Sequence, residues 1–251
     1  MKHKNQTVLA YLDQLPFKLG RYDHVLTDIK NVIHTKTAIV LPCTLNDLAS
    51  IDTSARYKAA YHKVDICTTD GMPLVWWFKW QGVQSTERVY GPDMMKDLLI
   101  STQSPKIKHV FYGTTPTTLQ RLRKNIKKWA PQTNITAMIS PPFRELTEAE
   151  EKKHINKIQR LHPSVLWIGL SSPKQVVVAS LFKKHLPKTL IMCVGAGFDF
   201  NAGTKKSAPA WMKNQGLEWL FRLSQEPTRL WSRYLVEMPV FLIKRLLRKP
   251  K

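Results

Sequence analysis

Cysteine is scarce in this sequence, which limits the covalent or metal support its fold can use. Its three cysteines, Cys43, Cys67 and Cys193, are far apart in the chain and lie in apolar stretches. No pair has the CxxC spacing of a zinc or redox site, and an odd number of separated cysteines does not suit a disulfide framework. We therefore predict three reduced thiols in the protein interior.

Long apolar runs are also lacking. No uncharged apolar stretch reaches about 18 residues, the length that a membrane-spanning helix needs. Near the N-terminus the apolar run is interrupted by Asp13 and Gln14, which does not match a secretory signal peptide. These two absences predict a cytoplasmic protein.

Acidic residues are few. The 251 residues include 18 Asp and Glu against 39 Lys and Arg, a net charge of +21. Hydrophobic residues make up 43% of the chain, enough for a sizeable core, so a wholly disordered chain is excluded. The positive excess indicates an anionic partner. Nucleic acid, a membrane surface and a phosphorylated substrate are all anionic and stay possible.

Several motifs of common enzyme classes are missing. The sequence has no GxxxxGK[ST] loop, no complete GxGxxG, no HExxH and no GxSxG elbow. It also has no Asp-x-Asp pair of the kind that would hold a divalent cation on a nucleotide diphosphate. We therefore predict no P-loop, no serine-hydrolase elbow and no metal site.

A repeated unit is present instead: a short apolar run, a turn of glycine or small residues, and a polar helical stretch. It occurs at 108–125, 163–186 and 190–200. In the first of these, Gly113 is the turn and Pro116 suits the first helical position, with Thr114 or Thr115 as the N-cap. Between the first two, the segment 146–161 is typical of a helix, opened by a capping box of Thr147 and Glu150. Strands alternating with helices predict an α/β fold with a mostly parallel sheet, whose ligands bind at the carboxyl ends of the strands.

Two polar residues lie at turns where chemistry is feasible. Asp70 lies in the turn Thr69-Asp70-Gly71 that ends the strand-like VDICT, where a carboxylate can act as a general base, although it can equally cap a helix that starts near Pro73. Arg88 can hold a phosphate, or it can pair with Glu87 or Asp93.

A second pair of polar residues, Thr44 and Asn46, lies in the segment PCTLNDL (42–48) at the end of the strand-like TAIVL. Both side chains can hydrogen-bond a substrate, and both residue types also form turns.

The chain changes character near Gly203. Residues 205–251 contain 11 Lys and Arg against 3 Glu, and strand signals disappear. We predict an α/β catalytic domain at 1–203 and a basic amphipathic helical tail at 204–251, which either docks on a membrane or packs on the core as charged helices. The stretch GLEWLFRLSQ is typical of a helix, and Pro227 suits the first turn of the next helix. Arg222, Arg229 and Arg233 are 7 and 4 residues apart, a spacing that returns them to one helix face unless Pro227 shifts the register between two helices.

These motifs, taken together along the chain, resemble those of a known family. The chain is similar to the WecG/TagA/CpsF family of bacterial glycosyltransferases. The matching stretches run in order from about residue 42 to residue 235: TLND, TTDGMPLVWW, ERVYGPDMM, FYGTTP, SPPFRELTEAE, VLWIGLSSPKQ and VGAGFDFNAGTKKSAPAWMKNQGLEWLFRLSQEPTRLWSRYL.

The resemblance implies a Rossmann-like sheet with helices on both faces and a C-terminal appendage that completes the active site. It implies an inverting, metal-independent enzyme without a cofactor. This enzyme would move a hexose or N-acetylhexosamine(-uronic acid) from a UDP-sugar to a polyprenyl-diphosphate-linked saccharide, in bacterial surface polysaccharide synthesis. The expected location is peripheral, on the inner face of the plasma membrane with its anionic surface, and no nucleic-acid partner is expected.

The resemblance also assigns roles to residues. It makes Asp70 the catalytic base and places eight other residues in substrate binding, the last three at the diphosphates: Thr44, Asn46, Arg88, Gln175, Asp199, Arg222, Arg229 and Arg233.

The chain departs from the family pattern at two positions. Val176 replaces a glutamate that commonly follows Gln175, which puts the donor specificity in question. Ser232 stands where a basic residue is common, so one phosphate contact is missing or is taken over by Arg233.

A different function class stays open from composition alone. A basic nucleic-acid-binding or RNA-modifying Rossmann-like protein would place aromatic and basic residues on one exposed face. The segment RLRKNIKKW at 121–129 is the best candidate for such a patch, and a helix with a solvated basic face explains it as well.

Overall fold

The computed structural model describes residues 6–241, apart from the side chains of Ala210, Asn214, Arg229 and Arg233. Its centre is an eight-stranded sheet with the order β1-β2-β4-β3-β8-β7-β5-β6. All strand pairs are parallel except β1 with β2, which confirms the predicted mostly parallel sheet. The strands are β1 (Val8–Leu12), β2 (Leu15–Leu19), β3 (Ala38–Cys43), β4 (Ile66–Thr69), β5 (Lys108–Gly113), β6 (Asn134–Ile139), β7 (Val165–Gly169) and β8 (Leu190–Cys193).

Helices cover both faces of this sheet. Alternate strand residues point to opposite faces, so Ile39 and Leu41 join one apolar cluster while Ala38 and Val40 join the other. The first cluster packs against α2 (Leu45–Ile51), α3 (Ala55–Tyr61), α4 (Met72–Trp80), α7 (Glu148–Leu161) and α8 (Lys174–Lys183). The second packs against α1 (Tyr22–Lys30), α5 (Gly91–Ser101), α6 (Pro116–Trp129) and α9 (Gly197–Ala202).

The helix starts predicted from capping residues are confirmed. Thr115 caps α6 by accepting the Thr118 N–H at 3.2 Å. In the capping box of α7, Glu150 N–H donates to Thr147 Oγ1 at 3.3 Å and Thr147 N–H donates to Glu150 Oε2 at 3.0 Å. Both caps satisfy amide groups that have no partner within the helix.

An N-terminal hairpin was not predicted. Asp13 and Gln14 form its two-residue turn, with φ of 49° and 65°, and Leu12 pairs with Leu15 across it. Two consecutive positive φ values are the geometry of a type I′ turn, which usually carries glycine or asparagine. The break in the apolar run that argued against a signal peptide is therefore this turn.

The cysteines are buried and free, as predicted. Within residues 6–241, no helix has both the length and the apolar character needed to cross a membrane.

The chain after α9 consists of short helices. Gly203, with φ of 70°, follows the last residue of α9 and ends it. Then come α10 (Ala210–Asn214), α11 (Glu218–Gln225), α12 (Pro227–Ser232) and a π-helix (Arg233–Glu237). The helix in GLEWLFRLSQ and the helix start at Pro227 are thus confirmed.

The division into a catalytic domain and a tail at residue 203 stays a prediction. The last part of that tail, 242–251 with Leu242, Lys244, Arg245, Leu246 and Arg248, lies outside the described residues.

Candidate active site

A cavity of about 880 Å³ opens at the carboxyl edge of the sheet. Residues at the ends of β3, β4, β7 and β8 line one side of it, and residues of α11, among them Trp219 and Phe221, line another. The carboxyl edge is where parallel α/β sheets bind ligands.

Most of the residues predicted for the site line this one cavity. Arg229 and Arg233 are the exceptions: they belong to α12 and the π-helix, but their side chains lie outside the described part of the chain. The predicted residues that line the cavity are Thr44, Asn46, Asp70, Arg88, Gln175, Asp199 and Arg222.

Asp70 follows the last residue of β4, where its backbone N–H donates to the Cys43 carbonyl at 3.1 Å. Its Oδ2 accepts the N–H of Gly91, the first residue of α5, at 3.2 Å. The alternative that Asp70 caps the next helix is wrong, because α4 begins after Gly71 without a side-chain cap. The carboxylate is thus held between a strand end and a helix N-terminus.

The surroundings of Asp70 make its carboxyl group a weaker acid than usual. Burial raises the pKa of Asp70 most, the nearby Glu218 adds to this rise, and Arg88, Arg222 and the Gly91 amide oppose it, so that the resulting pKa is about 6. A carboxylate of this kind has the proton affinity that a general base needs near neutral pH.

Arg88 lies between two carboxylates. Its Nη2 is 2.6 Å from Glu218 Oε2 and 3.6 Å from Asp70 Oδ1. Its Nε donates to the Asp70 carbonyl, and its guanidinium lies 4.2 Å from the centre of the Tyr90 ring. The partners considered from sequence, Glu87 and Asp93, were wrong, because β4 and α11 bring closer carboxylates to the guanidinium.

Glu218 was missed by the sequence analysis. Its carboxylate accepts hydrogen bonds from Arg88 and from the Tyr90 hydroxyl, the latter at 3.0 Å. It also forms an ion pair with Arg222 at 3.0 Å. Burial opposes its charge, but Arg222 and Arg88 outweigh that effect and lower its pKa, so Glu218 is ionised. The Glu218–Arg222 spacing of four residues in GLEWLFR was the available signal; the contact with Arg88 spans 130 positions and left none.

Arg222 brings a second buried cation to the cavity. Its guanidinium lies 5.0 Å from the centre of the Phe200 ring. The buried Nε has no hydrogen-bond partner within residues 6–241. An unpaired buried donor is costly, so a ligand that accepts this hydrogen bond would gain affinity.

Thr44 and Asn46 differ in how free their side chains are. The Thr44 hydroxyl donates to Asp47 Oδ2 at 2.6 Å and accepts the Asp47 N–H at 3.4 Å, a capping box that starts α2. The turn-forming alternative therefore holds for Thr44. For the Asn46 side chain, the described residues offer no hydrogen-bond partner, although it lines the cavity.

Gln175 and Asp199 line the cavity from α8 and α9. Gln175 Nε2 donates to Ser172 Oγ at 2.8 Å, while its buried Oε1 has no partner in the described part of the chain. Asp199 Oδ1 accepts from the Thr204 hydroxyl at 3.3 Å. Gln175 therefore offers an unused acceptor and Asp199 a partly used one.

The two departures from the family pattern have structural outcomes. Val176 in α8 is fully buried in the first apolar cluster, and its neighbour in the chain, Gln175, lines the cavity. The Ser232 hydroxyl donates to Glu237 Oε1 at 3.0 Å. Within residues 6–241, no three His, Cys, Asp or Glu side chains cluster in a way that could hold a metal ion.

Residues 10–251 match the sequence profile of the glycosyl transferase WecG/TagA/CpsF family. The chain belongs to this family. The match confirms the resemblance read from the motifs, and the TLND, TTDG, ERVYGPD, SSPKQ and GFDF stretches of this family member all contribute residues to the cavity.

Two relatives carry a specific name, N-acetylglucosaminyldiphosphoundecaprenol N-acetyl-beta-D-mannosaminyltransferase. One, from Bacillus spizizenii, is 25% identical over 180 residues, which cover 72% of this chain and 68% of the relative. The other, from Bacillus subtilis, is 26% identical over 166 residues, covering 66% of this chain and 62% of the relative. The chain is similar to these two enzymes over about two thirds of their length.

Proposed function

We propose that this family member is an inverting, metal-independent glycosyltransferase that uses a UDP-sugar donor. The acceptor would be a polyprenyl-diphosphate-linked saccharide, and the transferred unit a hexose or N-acetylhexosamine(-uronic acid). The names of the two relatives support this acceptor class and an N-acetylhexosamine as the transferred sugar. The observation that carries the proposal is the buried Asp70 carboxylate, which lines a large cavity together with Arg88 and Arg222.

An inverting transfer is a single displacement. Asp70 would take the proton of the acceptor hydroxyl while that oxygen attacks the anomeric carbon from the face opposite UDP. The bond from the anomeric carbon to the UDP oxygen breaks, and its electron pair leaves with UDP. One carboxylate suffices for this step, which suits a site with a single carboxylate of raised pKa at a strand end.

The departing UDP gains negative charge, which fixed donors must stabilise. Arg222 offers a buried Nε without a partner among the described residues, and the turn at Ser171 and Ser172 lines the cavity just before α8. Cationic side chains and backbone N–H groups near a helix start are suited to a diphosphate. The predicted turn at Gly113–Thr115 is not among the lining residues described.

We further propose that the C-terminal segment places the enzyme on the inner face of the plasma membrane. Trp211, Trp231 and Leu235 in the helices after residue 203 are each more than half exposed. Exposed aromatic and aliphatic side chains beside basic residues suit the headgroup layer of an anionic membrane. This location would bring the cavity to its lipid-linked acceptor.

The alternative of a nucleic-acid-binding protein has no support from the comparisons. The basic segment 121–129 lies in α6, where Leu122 and Ile126 are buried in the core. Its lysines and arginines therefore occupy the outer face of an ordinary amphipathic helix.

The test is a panel of UDP-sugars, UDP-N-acetylmannosamine included, offered with a lipid-diphosphate-linked N-acetylglucosamine. Transfer of one sugar with inverted anomeric configuration, in the presence of EDTA, is the expected result. Retention of configuration, loss of activity with EDTA that Mg²⁺ restores, or absence of transfer from every UDP-sugar would each contradict the proposal.

A further inference from the structure

One nitrogen of Arg88 is shared unequally between two carboxylates. The distance from Nη2 to Glu218 Oε2 is 2.6 Å, a short charge-assisted contact, whereas the distance to Asp70 Oδ1 is 3.6 Å, too long for a hydrogen bond. The guanidinium is further fixed against the Tyr90 ring. Arg88 is therefore drawn toward Glu218 and away from the Asp70 carboxylate.

The neutral groups beside Asp70 do not change this balance. The Cys43 thiol at the end of β3 and the Tyr90 hydroxyl both interact electrostatically with Asp70, and burial raises the pKa of each, so both stay protonated. The Gly91 N–H is a fixed dipole.

The charged groups that remain are Arg88 on the segment before α5, and Glu218 and Arg222 on α11. Of these, Glu218 bears the only negative charge, and it is bonded to both cations.

We propose that Glu218 is a positioning residue, which holds the Arg88 guanidinium off the Asp70 carboxylate and so keeps Asp70 able to accept a proton. This inference rests on the proposed function, in which Asp70 is the base. A direct Arg88–Asp70 ion pair would favour the ionised carboxylate and occupy its oxygen, and both effects weaken a base.

Glu218 makes more contacts than a role in stabilising α11 alone would require. The Glu218–Arg222 pair alone is an ordinary contact between residues four apart on a helix. Glu218 also reaches Arg88 and Tyr90 across the cavity wall, from a different part of the chain. Because Glu218 lies on α11, the proton affinity of Asp70 depends on α11 being docked at the cavity.

The experiment is Glu218→Gln in the full chain. The Asp70 carboxyl is titrated by NMR with ¹³C-labelled aspartate, its signal assigned by its loss in Asp70→Asn, and the pH profile of kcat/KM is measured in parallel. The amide removes the negative charge and frees Arg88 to approach Asp70, so the Asp70 pKa falls by about one unit and the acidic limb of the profile moves down by the same amount. The matched control, Glu237→Gln, removes an exposed carboxylate that contacts Ser232, and it leaves both readouts at the wild-type values.

An unchanged Asp70 pKa in Glu218→Gln, or an upward shift, overturns the inference even if the rate falls. Should the glutamine variant fail to fold, Glu218→Asp keeps the charge but withdraws it from Arg88, and a smaller downward shift is then expected; no shift there also overturns it. The NMR titration needs no substrate. A downward shift in a protein that transfers no sugar would therefore support the role of Glu218 while contradicting the proposed function.

Discussion

The proposed base, Asp70, opposes the stability of the folded protein at neutral pH. Its carboxylate is mostly buried, and its charge is compensated by the Gly91 N–H, by the Arg88 guanidinium at 3.6 Å and by the charge of Arg222. The folded protein therefore favours the protonated acid, with a pKa of about 6 against a usual 3.8. At neutral pH the ionised form costs stability, and the cost disappears as the pH falls below the unfolded-state pKa.

Asp70→Asn is accordingly expected to separate activity from stability. Loss of the base lowers kcat by about 10²–10⁴-fold while UDP binding persists. The free energy of unfolding at pH 7 rises by about 2 kcal/mol, because a buried charge is replaced by a neutral isostere, and this gain vanishes below about pH 4. Steady-state kinetics, UDP titration and denaturant unfolding provide the measurements. The matched control is Asp52→Asn, which changes an exposed carboxylate in the same way. Near-normal turnover in Asp70→Asn would contradict a role for Asp70 as the base.

His109 has the opposite effect on the pH dependence of stability: it makes the folded protein less stable as the pH falls. Its ring is fully buried in β5, and its Nδ1 accepts the Trp167 indole N–H at 3.1 Å. Burial lowers the pKa of His109 to about 4 from a usual 6.5. The imidazole is neutral in both states above pH 6.5, and below that the unfolded chain takes up the proton first, so stability falls between pH 6.5 and 4.

We expect this histidine to account for about 2 kcal/mol of the stability lost between pH 7.5 and pH 5. His109→Asn keeps an acceptor for Trp167 without the titration. The variant is less stable at pH 7.5, because it leaves a cavity, but it loses less on acidification. Urea unfolding of both proteins at the two pH values checks this; equal losses would show that His109 is not the titrating group.

At the scale of elements, the predictable parts were those with local causes. Thr115 and Thr147 predict helix starts because a capping hydrogen bond joins residues within four positions of the chain. The Asp13–Gln14 turn was missed because its two positive φ angles are adopted without glycine. Glu218 was missed because its partners Arg88 and Tyr90 come from another part of the chain, and a contact of that kind leaves no periodic signal.

The docking of α11 depends on a glycine ahead of it. Gly216 has φ of 73°, and a Cβ there would lie 2.8 Å from Trp76 Cη2 and 3.1 Å from Met72 Cβ, both in α4. A side chain there would have to displace the Trp76 ring and press on Met72, and the positive φ disfavours any residue other than glycine. The segment that carries Glu218 and Arg222 to the cavity thus requires glycine at this position.

Gly216→Ala should therefore impair transfer more than it impairs the fold. Displacing α11 withdraws Glu218 and Arg222 from the site, so kcat/KM is expected to fall at least about tenfold, at a stability cost of about 1–3 kcal/mol for the overpacking. Kinetics and thermal unfolding test this. Gly82→Ala is the matched control, because its φ of 95° imposes comparable backbone strain while no heavy atom lies within 4 Å of the added Cβ. Equal kinetic effects of the two variants would argue against a docking role for Gly216.

For the whole molecule, the net charge of +21 has two proposed uses. Buried cations such as Arg222 would meet the diphosphates of the substrates, and the surface excess would meet an anionic membrane. Of the 39 Lys and Arg, 11 belong to residues 205–251, against 3 Glu. The same segment exposes Trp231 and Leu235 and lines the cavity through α11, so it is in a position to link membrane docking to catalysis.

Membrane docking and sugar transfer are expected to depend on the same C-terminal helices. The full chain is expected to sediment with anionic vesicles and to be released by salt, since each Lys or Arg near such a surface contributes on the order of 1 kcal/mol and this attraction is screened. The double variant Trp231→Ser, Leu235→Ser removes apolar surface that is more than half exposed, so it should bind vesicles several-fold more weakly. Its transfer to a vesicle-embedded acceptor should fall in parallel, while transfer to a short-chain, water-soluble acceptor stays near wild type.

The control is Tyr11→Ser, on the edge strand β1. It removes a comparably exposed side chain from the opposite end of the chain and is expected to change neither readout. If the double variant binds vesicles like the wild type, the helices after residue 203 are not the membrane-docking surface; if it loses transfer to both acceptors, their contribution lies in the cavity rather than at the membrane.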